Sequence, residues 1–118
     1  EEFGFKKILQ MKGRMLSGGQ RRKVEIARTL ICQPNIMLLD EPFAGIDPIA
    51  VEEIKELLQK ICEKNISILI TDHNVRETLS LCSKAIILSE GRIIAEGNEK
   101  NLKENDHVQQ KYFGKMFS

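Results

Sequence analysis

Three observations predict an α/β fold for this chain. First, two short apolar runs, residues 36–39 (Ile-Met-Leu-Leu) and Ser67–Thr71, lack polar alternation, which suits strands buried on both faces of a parallel sheet. Second, stretches with helical spacing precede, separate and follow these runs. Third, the order helix, strand, helix, strand, helix, hairpin, helix is that of a mainly parallel sheet flanked by helices, closed by a C-terminal β-hairpin and further helices. A right-handed crossover between the two runs would make them parallel neighbours. Ligands of such sheets collect beyond the carboxyl ends of the strands, where Asp40, Glu41 and His73 all fall.

Each element has its own signal. Residues 1–15 read as the tail of a helix and a polar connection, and Leu16-Ser17-Gly18-Gly19-Gln20 as a break. Between residues 20 and 32 the apolar positions Val24, Ala27, Leu30 and Ile31 recur at helical spacing, with Arg21, Arg22, Lys23 and Arg28 opposite. Pro34 and Asn35 end that helix. After the first strand and the Glu41-Pro42 exit, Asp47 is a natural N-cap with Pro48 at the first helical position. The helix then runs to about Lys64, presenting Val51, Ile54, Leu57, Leu58 and Ile61 on one face. The second strand ends at Asp72-His73, and residues 74–82 form a short helix. Residues 85–88 and 92–95 are strands around a Ser89-Glu90-Gly91 turn. Residues 98–105 and 106–112 are two short helices, followed by a tail at 114–118.

Composition bounds the function. The 118 residues suffice for one domain, and 42% hydrophobic with 30% charged residues favours a folded chain over a disordered one. A net charge of +1 argues against a dedicated nucleic-acid partner. No apolar run approaches the ~20 residues that span a bilayer, and no secretory signal pattern is present. Cys32, Cys62 and Cys82 have no metal-site spacing and an odd count, so they are expected to be reduced and mostly in the core. The chain begins Glu1-Glu2-Phe3 rather than with methionine, which leads us to expect sequence upstream.

Three segments carry chemistry. In Leu16-Ser17-Gly18-Gly19-Gln20, two glycines allow close backbone approach, the following helix start offers N–H groups and a positive dipole end, and Ser17 adds a hydroxyl; this suits a phosphate, and equally an ordinary serine cap. Asp40 and Glu41 place two carboxylates just past a strand: one can hold Mg²⁺ and the other can orient or deprotonate a water. His73 at the second strand end can bond a phosphate oxygen, or serve structurally. His107, in a polar helix, reads as surface.

With these motifs in this order the chain resembles the ATP-binding-cassette family of ATPases, over nearly its whole length. Residues 16–20 resemble the signature motif, 36–41 the Walker B strand with its glutamate, Ala44-Gly45-Ile46-Asp47 the D-loop, and His73 the switch histidine. The resemblance implies the C-terminal portion of a P-loop NTPase nucleotide-binding domain that uses ATP and Mg²⁺. It implies Asp40 at the metal, Glu41 polarising the attacking water and His73 at the γ-phosphate. It places Ser17, Gly18, Gly19 and Gln20 on ATP held by a second ATPase subunit in a head-to-tail homodimer, with Asp47 linking the two sites. Transmembrane transporter subunits are the further implied partners, with the ATPase peripheral on the cytoplasmic face of the inner membrane. No G-x-x-x-x-G-K-[ST] phosphate loop occurs in residues 1–118. The N-terminal half of the domain is therefore expected to be a separate requirement, and this chain alone to be inactive. Thr71-Asp72-His73-Asn74-Val75-Arg76-Glu77-Thr78-Leu79, Pro42 to Ile49 and Tyr112-Phe113-Gly114 resemble the subgroup serving lipopolysaccharide export, with branched-chain amino-acid uptake ATPases as the competitor. A non-catalytic half-cassette that only binds partners is the other reading.

Overall fold

The computed structural model describes residues 3–113, with side chains as far as Lys111. Contacts divide the chain into two units, residues 1–73 and 74–118. Residues 114–118 of the expected tail, and with them Gly114 of the Tyr112-Phe113-Gly114 triplet, lie outside the described residues.

The first unit opens differently from expectation. No helix tail is present over residues 3–12; Ile8 donates to the Phe5 carbonyl and Met11 to that of Ile8, so the chain runs in turns to a 3-10 turn at Gly13–Met15. Glycines at positions 4 and 13 interrupt any longer helical run. Helix α1 spans Gly18–Thr29, so the two glycines belong to its first turn, and a 3-10 turn at Leu30–Cys32 ends in left-handed Gln33. Its inner face is Gly19, Arg22, Lys23 and Ile26, while Val24 and Ile31, expected inside, are exposed. Ile31 lies in the 3-10 turn, where the helical period no longer applies.

Strand β1, Ile36–Asp40, pairs in parallel with β2, Ser67–Thr71, in the register Leu38 opposite Leu69 and Asp40 opposite Thr71. Helix α2, Pro48–Cys62, crosses between them and buries Val51, Ile54, Leu57, Leu58 and Ile61, the face its period predicts. Asp47 accepts from the Ala50 amide at 2.9 Å and Pro48 takes N1, as expected of the cap. The core of this unit adds Ile26, Met37 and Phe43.

Burial of the strands on both faces is not observed. Met37, Leu39, Ile68 and Ile70 turn to the covered side, but Ile36, Leu38 and Leu69 are 64%, 73% and 61% exposed. Helix α2 packs on β2, and α1 packs on α2 and reaches Met37 through the Thr29 hydroxyl, so among the described residues of this unit the helices lie on the Met37 side and leave Ile36, Leu38 and Leu69 uncovered. The cysteine expectation is corrected as well: Cys32 and Cys62 are exposed free thiols and Cys82 is half-buried. The first two sit at the ends of their helices, where the apolar stripe has run out.

The second unit contains α3 (Val75–Leu81), the antiparallel hairpin β3 (Ala85–Ser89) and β4 (Arg92–Gly97), then α4 (Glu99–Lys103) and α5 (Asp106–Val108) leading into a wide turn at Gln109–Phe113. Glu90 and Gly91 both take positive φ, which matches a two-residue connection to the right-handed twist of the strands. Leu79, Leu102 and Val108 form its core.

Candidate functional site

The carboxyl ends of β1 and β2 bring three of the candidate residues together. Asp40 ends β1 directly opposite Thr71, whose hydroxyl donates to Asp40 Oδ1 at 2.6 Å. Glu41 then leaves the extended conformation at φ 51°, a left-handed backbone that costs a non-glycine residue about 1 kcal/mol or more. Its amide still donates to the Thr71 carbonyl at 2.6 Å. That backbone reversal turns its side chain towards His73, whose Nδ1 lies 3.0 Å from Glu41 Oε1. The His73 side chain is 81% exposed and that of Glu41 46%, so the pair forms an open shelf rather than a closed pocket.

Ser17, Gly18, Gly19 and Gln20 form the start of α1. Ser17 Oγ accepts the Gln20 amide at 3.1 Å, and Gln20 Oε1 accepts the Ser17 amide at 2.9 Å, a reciprocal capping box. The Gln20 side chain is thus turned back on its own helix. Gly18 is exposed, and a Cβ built there meets nothing within 4 Å. Gly19 is buried, and its Cβ would stand 2.4 Å from that of Ala50. The two glycines are therefore not equivalent: the first leaves open space over the helix start, the second lets α1 lie against α2. Asp47, whose carboxylate caps Ala50, sits at the same junction.

Two groups unrecognised in the sequence hold the segment between these parts. Arg22 donates to the carbonyls of Glu41 at 3.0 Å, Pro42 at 2.7 Å and Ala44 at 3.3 Å. Asp72 Oδ2 accepts the Phe43 amide at 3.2 Å. Including Gly19 as an apolar position would have revealed Arg22, because 19, 22 and 26 share one helix face. Asp72 stands in the Thr71-Asp72-His73 string at the end of β2, but nothing in that string shows that it would accept the amide of Phe43.

The "ABC transporter" family model matches residues 2–44. The structure aligns with MJ1267, an ATP-binding cassette of an ABC transporter crystallised in its ADP conformation, at TM-score 0.84 and 31% identity, over 96% of this chain and 46% of that one. It aligns with cbiO1 from Clostridium perfringens, part of the ABC transporter complex cbiONQ, at TM-score 0.81 and 32% identity, over 98% and 46%. Fold and relatives make this chain part of an ATP-binding-cassette ATPase domain. In sequence it is 47% identical to the lipopolysaccharide export system ATP-binding protein LptB of Escherichia coli strain K12, over 99% of this chain and 48% of that protein. The LptB of Haemophilus influenzae matches at the same identity and coverage. The chain thus spans about half the length of the curated relatives it matches.

Proposed function

We propose that this chain works as the C-terminal part of an ATP-hydrolysing subunit that energises lipopolysaccharide export. The carrying observation is the Glu41–His73 pair beside Asp40–Thr71 at the carboxyl ends of two parallel strands. In this reading Glu41 orients and polarises the attacking water. His73 bonds the terminal phosphate and fixes the Glu41 carboxylate through Nδ1. Asp40, held by the Thr71 hydroxyl, contributes to Mg²⁺. The described residues contain no cluster of three or more His, Cys, Asp or Glu that could enclose a metal. A single oriented carboxylate still fits Mg²⁺, which takes one or two carboxylates and completes its shell with phosphate oxygens and water. Bound there, the ion would neutralise phosphate charge.

Exposed Ser17 and Gly18 at the start of α1 support the anion role of this segment towards ATP on a second copy; to join them Gln20 would leave its capping box, Gly19 would offer only its backbone, and Asp47 stands at the seam. Exposure of the Glu41–His73 shelf favours a site completed by other protein, since phosphoryl transfer benefits from excluded water. The partners are the remaining part of the domain, a second ATPase subunit and transmembrane transporter subunits. The last would hold it on the cytoplasmic face of the inner membrane, and no described helix is long and apolar enough to cross a membrane.

The test is Mg-dependent ATP turnover by a complete cassette containing these residues, with and without Glu41→Gln. It is joined to capture by lipopolysaccharide-export membrane subunits and, in parallel, by those of a branched-chain amino-acid importer. Turnover lost in the variant and capture by the first set are expected. Turnover indifferent to Glu41→Gln would remove the catalytic assignment, capture without turnover would leave a binding module, and capture by the second set would change the cargo.

A further inference from the structure

We propose that Arg22 is a positioning residue for Glu41, a clamp from α1 that holds the Glu41–Ala44 loop in the conformation aiming the carboxylate at His73. The proposal rests on the hydrolytic reading of the site. Glu41 occupies a left-handed backbone, φ 51°, as Gln33, Asn65 and Glu90 do at their turns, a conformation whose cost to a residue with a Cβ the contacts around it must offset. The Glu41 amide is held by the Thr71 carbonyl, and the Phe43 amide by Asp72 Oδ2. The Ala44 amide closes the turn on the Glu41 carbonyl at 3.2 Å. The carbonyls of Glu41, Pro42 and Ala44 all accept from the one guanidinium of Arg22.

Three carbonyl oxygens converging on one point build up negative potential that needs a cation with more than one donor. A planar guanidinium meets this with Nη1 on Glu41 and Pro42 and Nη2 on Ala44; a lysine ammonium is a single nitrogen and cannot stand at both positions. The Arg22 side chain is 28% exposed and keeps a 3.7 Å contact with Glu25 on its own helix, so its rotamer is supported from behind. Because α1 also carries Ser17 and Gly18 at its start, the clamp joins the proposed phosphate-facing helix end to the proposed water-orienting loop through one side chain.

Two readings test this. In hydrogen exchange on the chain, Arg22→Ala should speed exchange at the amides of residues 41, 43 and 44 by at least about tenfold, while amides of α2 keep their protection. In a complete cassette, Arg22→Ala should lower kcat on the order of 10²-fold, the effect of displacing a reacting group by about 1 Å, while KM for Mg-ATP moves by less than about twofold. Arg22→Lys should fall between. In a Glu41→Gln background, Arg22→Ala should add no further loss, because a residue acting through Glu41 has nothing left to position. Unchanged loop exchange, or an unchanged kcat, would overturn the proposal. So would additive loss in the double variant, which would make Arg22 a structural residue only. A parent cassette without Glu41-dependent turnover would sink the hydrolytic reading and this role with it, even if the exchange result showed that Arg22 holds the loop.

Discussion

A Cβ at Gly19 would stand 2.4 Å from the Cβ of Ala50, closer than any two such atoms approach, so residue 19 must be glycine while Ala50 stays where it is. The contact joins the start of α1 to the start of α2, the helix capped by Asp47. Gly19→Ala should therefore force the helices apart and destabilise the chain by about 1–3 kcal/mol. Adding Ala50→Gly should return much of the loss despite the cost of a glycine near a helix start. Chemical denaturation of the single and double variants gives the coupling, and additive losses would rule out the contact as the cause.

Gly18 offers the contrast. A Cβ there meets nothing within 4 Å, so Gly18→Ala should leave stability unchanged or raise it by a few tenths of a kcal/mol through helix propensity. If the open space above it serves a phosphate, the same variant should lower turnover in a complete cassette. Full turnover with unchanged stability would mean that the space receives no ligand.

Asp47 has a structural task that can be separated from any role across a dimer seam. Asp47→Ala removes the acceptor for the Ala50 amide and should cost about 1 kcal/mol. Asp47→Asn keeps a competent cap and should fold as well as the parent. A fall in turnover with Asp47→Asn at unchanged melting temperature would isolate the charge-dependent function, whereas normal turnover would reduce Asp47 to a cap.

Glu41→Gln should leave the melting temperature within about 2 °C of the parent, because exposed ion pairs contribute little. The same change should lower turnover in a complete cassette by about 10²–10⁴-fold, leaving the residual rate against which the Arg22 double variant is read. A large drop in melting temperature would make the His73 contact a structural one.

The bare face of the sheet predicts association. Ile36, Leu38 and Leu69 form an exposed apolar patch on two strands whose outer edges pair with no other strand among the described residues, and parallel sheets are normally covered on both faces. The 118-residue chain should self-associate in light scattering, and Leu38→Ser with Leu69→Ser, directly opposite in the register, should shift it towards monomer. A monodisperse parent chain that unfolds sharply would show that this face needs no cover.

The local sequence carries much of this molecule. Asp47-Pro48 fixes where α2 starts, the spacing of Val51, Ile54, Leu57, Leu58 and Ile61 fixes its buried face, and the apolar runs locate β1 and β2. Those features depend on neighbours one or two turns away, so they can be read in order along the chain. The inner face of α1 escaped the same reading because its first member, Gly19, is a glycine and two others, Arg22 and Lys23, are cations, so the apolar period does not mark it.

The candidate residues themselves could be listed from the motif strings, but their relations could not. That Asp40 answers to Thr71, that Glu41 reverses its backbone to meet His73, and that Arg22 gathers three carbonyls of the intervening loop depend on partners 19 to 32 positions away. Tertiary structure also decided that one face of the sheet stays bare, since an apolar run states only that burial is favourable. Whether a face is covered depends on which other elements are present to pack against it, and both helices of the first unit lie on the same side.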